Sequence, residues 1–290
     1  MRFRFCLFLS MVAFAAVPAA GSAFFFSTGN PDGKIATLAR VGSPAGIQTE
    51  TADDFLLTQS LTHITSATFT GLMPIGVPLS SISQVEIEFY NVFPNDSDVS
   101  RTSGPPLFST AQVPTRVNSP ADVEIASATR DSFAGTLTFT PGIISSTFTA
   151  LNSVVNGINP TPNQFTGGEG QVTGQEVQIS VIFTTAVDLT AGHYFFRPEV
   201  LLSTGDNFLW LSAPKPIVPP GTPFMPDLQS WIRNDNLAPD WLKIGTDITG
   251  QGPFNATFSL AGTSIPEPST WALLSGGLSV LGFLRKKLIP

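Results

Sequence analysis

The chain has 290 residues, 14 of them Lys or Arg and 21 Asp or Glu; with the terminal Arg2, Arg4, Arg285, Lys286 and Lys287 set aside, Phe24 to Ile265 carries nine bases against 20 acids. That balance argues against a nucleic-acid binder, which needs clustered Lys and Arg to release counterions. A hydrophobic fraction of 42%, 24 Phe and a mean hydropathy of +0.22 exclude a disordered polyampholyte, while 25 Gly and 25 Pro without a period exclude collagen and favour a turn-rich all-β domain.

Residues 1–23 read as a secretory signal peptide: Arg2 and Arg4 make a basic start, Phe5 to Val17 an apolar run and Gly21-Ser22-Ala23 a small-residue exit, with cleavage expected after Ala23. Cys6 is the only cysteine and leaves with that segment, so the mature domain is expected to have neither disulfides nor thiolate metal sites. Residues 24–262 are expected to form one β domain. Short β-branched and aromatic runs between turn residues predict strands near Thr49–Leu57, His63–Gly71, Gln84–Phe93, Thr136–Thr140, Ser146–Leu151, Glu176–Ala186, His193–Leu202, Asn207–Leu211, Ser230–Arg233 and Phe254–Ala261. Val85, Ile87 and Phe89 against Glu86 and Glu88 predict one apolar and one wet face. Turns are expected at Asn30-Pro31-Asp32-Gly33, Thr140-Pro141-Gly142, Asn156-Gly157 and Gly167-Gly168-Glu169-Gly170. Ser119-Pro120-Ala121-Asp122 fits a helix start as well as a strand, and Ala213 to Asp240 is a long Pro-rich excursion. About ten strands without a sequence repeat favour a two-sheet sandwich of jelly-roll type over propellers and solenoids.

Catalytic signals are thin. His63 and His193 lack metalloprotease spacing, and neither a nucleophile elbow nor a phosphate loop is present. Asp53-Asp54 and Asp96 with Asp98 are the oxygen-rich positions where calcium is conceivable, although the second lacks the glycine and distal acid of an EF-hand loop. No other cofactor is indicated. For sugar binding the candidates are Trp210, Trp231 and Trp241, since aromatic faces stack on pyranose rings; Trp231 has the most polar neighbours, Gln229, Arg233, Asn234, Asp235 and Asn236. Threonines alternate at Thr68/Thr70, Thr136/Thr138/Thr140 and Thr147/Thr149, without the fixed interval that an ice-matching array needs.

Residues 263–290 carry the most specific pattern: Pro266-Glu267-Pro268, an apolar run from Trp271 to Leu284, then the basic stop Arg285-Lys286-Lys287. It resembles the PEP-CTERM sorting tail of Gram-negative bacteria, also known as the ice-binding protein C-terminal domain. The resemblance implies an exosortase as processing partner and an exopolysaccharide-producing host. As a helix the 14-residue run would span about 21 Å, short of the roughly 30 Å hydrocarbon core, so a short, temporary transmembrane anchor is expected, with the basic stop on the cytoplasmic side. Arg116-Val117-Asn118-Ser119-Pro120, Thr173-Gly174-Gln175-Glu176-Val177, His193-Tyr194-Phe195-Phe196 and Phe208-Leu209-Trp210-Leu211-Ser212-Ala213-Pro214 together resemble an exported bacterial family bearing the same tail, a resemblance that brings no catalytic motif. The expectation is a non-enzymatic, exosortase-processed protein of the cell envelope or exopolysaccharide, handled by signal peptidase and transiently by the inner membrane. A carbohydrate-binding module for matrix polysaccharide is the first alternative and a secreted hydrolase the second.

Overall fold

In a computed structural model of the chain, residues 21–44, 46–101, 116–158 and 165–265 are described. They form β1 (Ser22–Ser27), β2 (Ile35–Leu38), β3 (Thr49–Met73), β4 (Ile82–Asn91), β5 (Arg130–Asp131), β6 (Leu137–Ala150), β7 (Asn152–Val154), β8 (Val172–Leu202), β9 (Leu209–Ala213), β10 (Trp231–Asn234), β11 (Leu242–Lys243), β12 (Asn255–Ala256) and β13 (Phe258–Ile265). Helical geometry among the described residues is confined to single turns, and no helix there is long and apolar enough to cross a membrane. The all-β expectation holds. The sorting motif Pro266, Glu267 and Pro268, the apolar run and Arg285, Lys286 and Lys287 lie outside the described residues, as do residues 1–20.

Two strands organise the fold. β3 has 25 residues and β8 has 31, and they pair antiparallel from Asp53↔Phe196 to Met73↔Gln175, with register shifts at Leu57/Leu61 and Ile64/Ser66. Such irregularities leave residues unpaired and bend a strand. The bend is large. Phe258 is the register partner of Phe69, yet its ring lies 6.3 Å from that of Phe55, fourteen residues earlier on the same strand. Fourteen extended residues would span about 46 Å, so the two halves of β3 must face each other. β8 follows the same path: Phe196 at its far end stacks on Phe258 at 4.9 Å.

Around the first half of β3 lie the second half of β8, β4, β5 and β10; around the second half lie the first half of β8, β6, β13, β1 and β9. Between them sits the main core, with Phe26, Phe55, Phe69, Phe89, Phe196 and Trp210 all buried. β2 joins β9 antiparallel and β7 parallel at the margin.

Several expectations are corrected. The strands join one hydrogen-bonded network, ordered β5-β4-β8-β3-β9-β2-β7 along its main path, rather than two separate sheets. Thr49–Leu57 and His63–Gly71 are parts of β3, and Glu176–Ala186 and His193–Leu202 parts of β8, because the ladder continues past the bulges. No turn forms at Pro141-Gly142. Pro141 instead sits within β6 opposite Ile179, tolerated because among the described strands β6 pairs only with β8 and its other edge asks for no proline N–H. Ser119-Pro120 forms no helix; Pro120 bridges to Val92, and the nearest turn of helix is at Ala126–Ala128. β1 was not expected at all, and the cleavage point after Ala23 falls inside it.

Candidate functional site

Charge is concentrated where water is absent. β4 was expected to show a wet face, but Glu88 is buried there beside Tyr90, Glu50 of β3, Arg197 and Glu199 of β8, and Arg233 of β10. Arg197 lies 2.5 Å from Glu50, 3.1 Å from Glu88, 3.0 Å from Glu199 and 3.4 Å from Glu86. Arg233 pairs with Glu50, donates to the Tyr90 hydroxyl at 3.0 Å and lies 4.3 Å over the Trp241 ring. Burial pushes Glu50 up, but Arg197 and Arg233 outweigh it and hold that carboxyl down to about 2. Burial takes Glu88 up to about 7 against the pull of Arg197, and pushes Glu199 well above the carboxylate range. The cluster therefore stays close to electrically balanced. It ties β3, β4, β8 and β10 together, and with every one of these six residues below a tenth exposed it offers nothing to a substrate.

The calcium candidates turn to protein donors instead. Asp53 and Asp54 are buried rather than at a wet edge: Asp53 accepts from the Ser230 hydroxyl and the Ala256 N–H, both at 2.9 Å, and Asp54 accepts from the Leu228 N–H at 3.0 Å and bonds His193 Nε2 at 2.6 Å. Burial raises both carboxyls, most strongly Asp53, which also feels the charge of Asp54. Asp96 accepts from Asn91 at 2.6 Å and Asp98 from the Ser100 N–H at 2.9 Å, both on an exposed loop. No group of three or more His, Cys, Asp or Glu is gathered to hold a metal among the described residues. His63 bonds Asp188 at 2.6 Å across β3 and β8, so both histidines contact an aspartate, and neither bonds a serine or threonine among the described residues.

The tryptophans are also corrected. Trp210, Trp231 and Trp241 are 0%, 0% and 2% exposed, so none shows a ring face to a sugar. Trp210 donates to the Thr257 carbonyl at 2.7 Å and Trp241 to the Ala121 carbonyl at 3.0 Å, while Trp231 lies beneath the Lys243 ammonium at 5.4 Å. Of its polar neighbours, Arg233 and Asn234 are buried with it, held by the charge cluster and the turn after β10, while Asp235 and Asn236 are exposed.

What the sequence reading missed is a groove of about 500 Å³ on the outer face of the second layer. Its floor is made by β1, β13 and β3, whose register sets Ser27, Ser259 and Thr68 side by side; Ser180 on β8 and Thr140 on β6 continue the row beyond the groove. The inward alternates Phe26, Leu260, Ala67 and Ile179 are buried, which fixes this row on the outside. Thr70, Gln178 and Glu176 lie beside the row, and Phe25, Phe148 and Ile144 stand as apolar walls. Phe25 is 60% exposed. The signal was present as polar alternation in Gln178 and Ser180, but only the register across five strands makes it a surface. Comparison with protein-family models and with curated proteins finds no match to this chain.

Proposed function

We propose that this is an exported, non-enzymatic protein of the cell envelope or exopolysaccharide matrix, made as an inner-membrane-anchored precursor and trimmed by signal peptidase and an exosortase. The observation that carries the reading is the pairing of β1 with β13, in which Ser22 lies opposite Ser264. The basic, apolar segment before β1 and the Pro266-Glu267-Pro268 segment after β13 therefore join the fold at one corner. Two membrane-directed ends at one corner suit a precursor whose basic residues at both termini stay on the cytoplasmic side while the domain stands outside. On this reading residues 271–284 are the short transmembrane helix, and the folded-over sheet is a sandwich of jelly-roll type, supported by the long strands that run through both layers. The non-enzymatic part is supported by the two histidines, neither of which bonds a serine or threonine among the described residues, and by the groove, where among the described residues Glu176 is the one ionisable group, without the second carboxyl that glycoside hydrolysis uses.

Mass spectrometry of the protein recovered from its native host tests this. The mature chain should begin at Phe24 and lack Trp271 to Pro290, and the same chain expressed without an exosortase should remain with the inner membrane. Recovery of an intact apolar tail from most molecules in the native host would overturn the proposal.

A further inference from the structure

We infer that the groove over β1, β13, β3, β8 and β6 is a binding site for an uncharged polysaccharide chain. This stands on the groove alone and does not depend on how the protein is sorted.

Ser27, Ser259 and Thr68 line the groove, and Ser180 and Thr140 carry the same row beyond its lining; across five strands, four interstrand spacings of about 4.8 Å make the row about 19 Å long, room for several linked pyranose rings. Within it, Thr68 and Ser259 share a hydrogen bond of 2.6 Å and so hold each other in place. Thr70, Gln178, Glu176 and Asn30 have no side-chain hydrogen bond among the described residues. Unpaired donors and acceptors in a hollow reward a ligand that brings its own hydroxyls. Phe25, more than half exposed at the groove wall, supplies the apolar face on which the C–H side of a pyranose ring packs.

Charge narrows the class. Among the described residues the groove lining holds neither Lys nor Arg, and its one ionisable group is Glu176, whose carboxyl pKa is raised by burial. A polyanion would meet no counter-charge, and the surrounding domain is strongly acidic. A lipid or other apolar ligand would bury Gln178 and Thr70 without partners. A peptide adding to the sheet would use a strand edge rather than this face, where side chains alone are presented.

Affinity electrophoresis of the full chain through gels containing glucan, galactan or mannan, with alginate as the polyanion, tests the site. At least one neutral polysaccharide should retard the protein and alginate should not. Phe25→Ala and Gln178→Ala should each weaken retardation about tenfold, the loss of one stacking face or one hydrogen-bonding group. Phe133→Ala, 81% exposed and outside the groove, should leave it unchanged, and a thermal melt should show all three variants folded. Retardation by alginate alone, by no neutral polysaccharide, or undiminished in Phe25→Ala would each overturn the inference. None of these outcomes bears on the termini found by mass spectrometry.

Discussion

Arg197 sits among four carboxyl groups with about 1% of its side chain exposed, and the protein tolerates this because the carboxyls do not all ionise together. Glu88 has the consequence that is easiest to measure. Its folded value of about 7 lies above its ordinary 4.5, so the folded state holds the proton more tightly than the unfolded one. The stability it contributes is complete below about pH 4.5 and is lost as pH rises through about 7. Glu50, held at about 2, works in the opposite sense and withdraws its support only in strong acid. Melting temperature measured from pH 4.5 to 8 should fall less steeply in Glu88→Gln than in the parent chain; parallel curves would show that Glu88 does not titrate in this window. None of this was legible in the sequence. Glu86 and Glu88 alternate with Val85, Ile87 and Phe89 as they would on a wet face, and Trp231 has neighbours that suit a ligand edge. A buried ion network and a solvated edge use the same residue types, and they differ only in what covers them.

At the scale of elements, alternation was read correctly where it was strong. Val85, Ile87 and Phe89 are buried as expected, and Val177, Ile179, Val181 and Phe183 show the same period on β8. Strand length was misread because polar interruptions mark bulges here rather than ends: Thr58-Gln59-Ser60 falls in the register shift of β3, and Thr184-Thr185 lies near the second shift, on β8. β13 carries a shift of its own at Ala261/Gly262, where a side chain on Gly262 would collide with the His63 carbonyl of β3. A backbone atom cannot swing aside as a flexible side chain does. Gly262→Val should therefore cost about 1–3 kcal/mol or more, read as a lower denaturant midpoint, since overpacking next to fixed backbone forces the strand to shift. An unchanged midpoint would mean that the bulge relaxes without loss.

For the whole molecule, the folding of β3 and β8 onto themselves makes one core out of pairings distant in sequence, and it also brings the first and last described strands together. In β1 and β13 the ends at Ser22 and Ser264 are register partners, and among the described strands β1 pairs with no other. Tension applied between those two ends would load the Ser22–Ser264 rung first and open the ladder rung by rung, as a zipper. A handle at exposed Asn30, just past the other end of β1, would load the same ladder in shear against Ile265, with all its bonds resisting at once. Single-molecule pulling should thus release β1 at a markedly lower force from the ends than from the Asn30 handle, and equal forces would contradict this pairing. On the proposed reading, a precursor held to a membrane at both ends would feel the weaker direction, and detachment of either end would unload this strand pair.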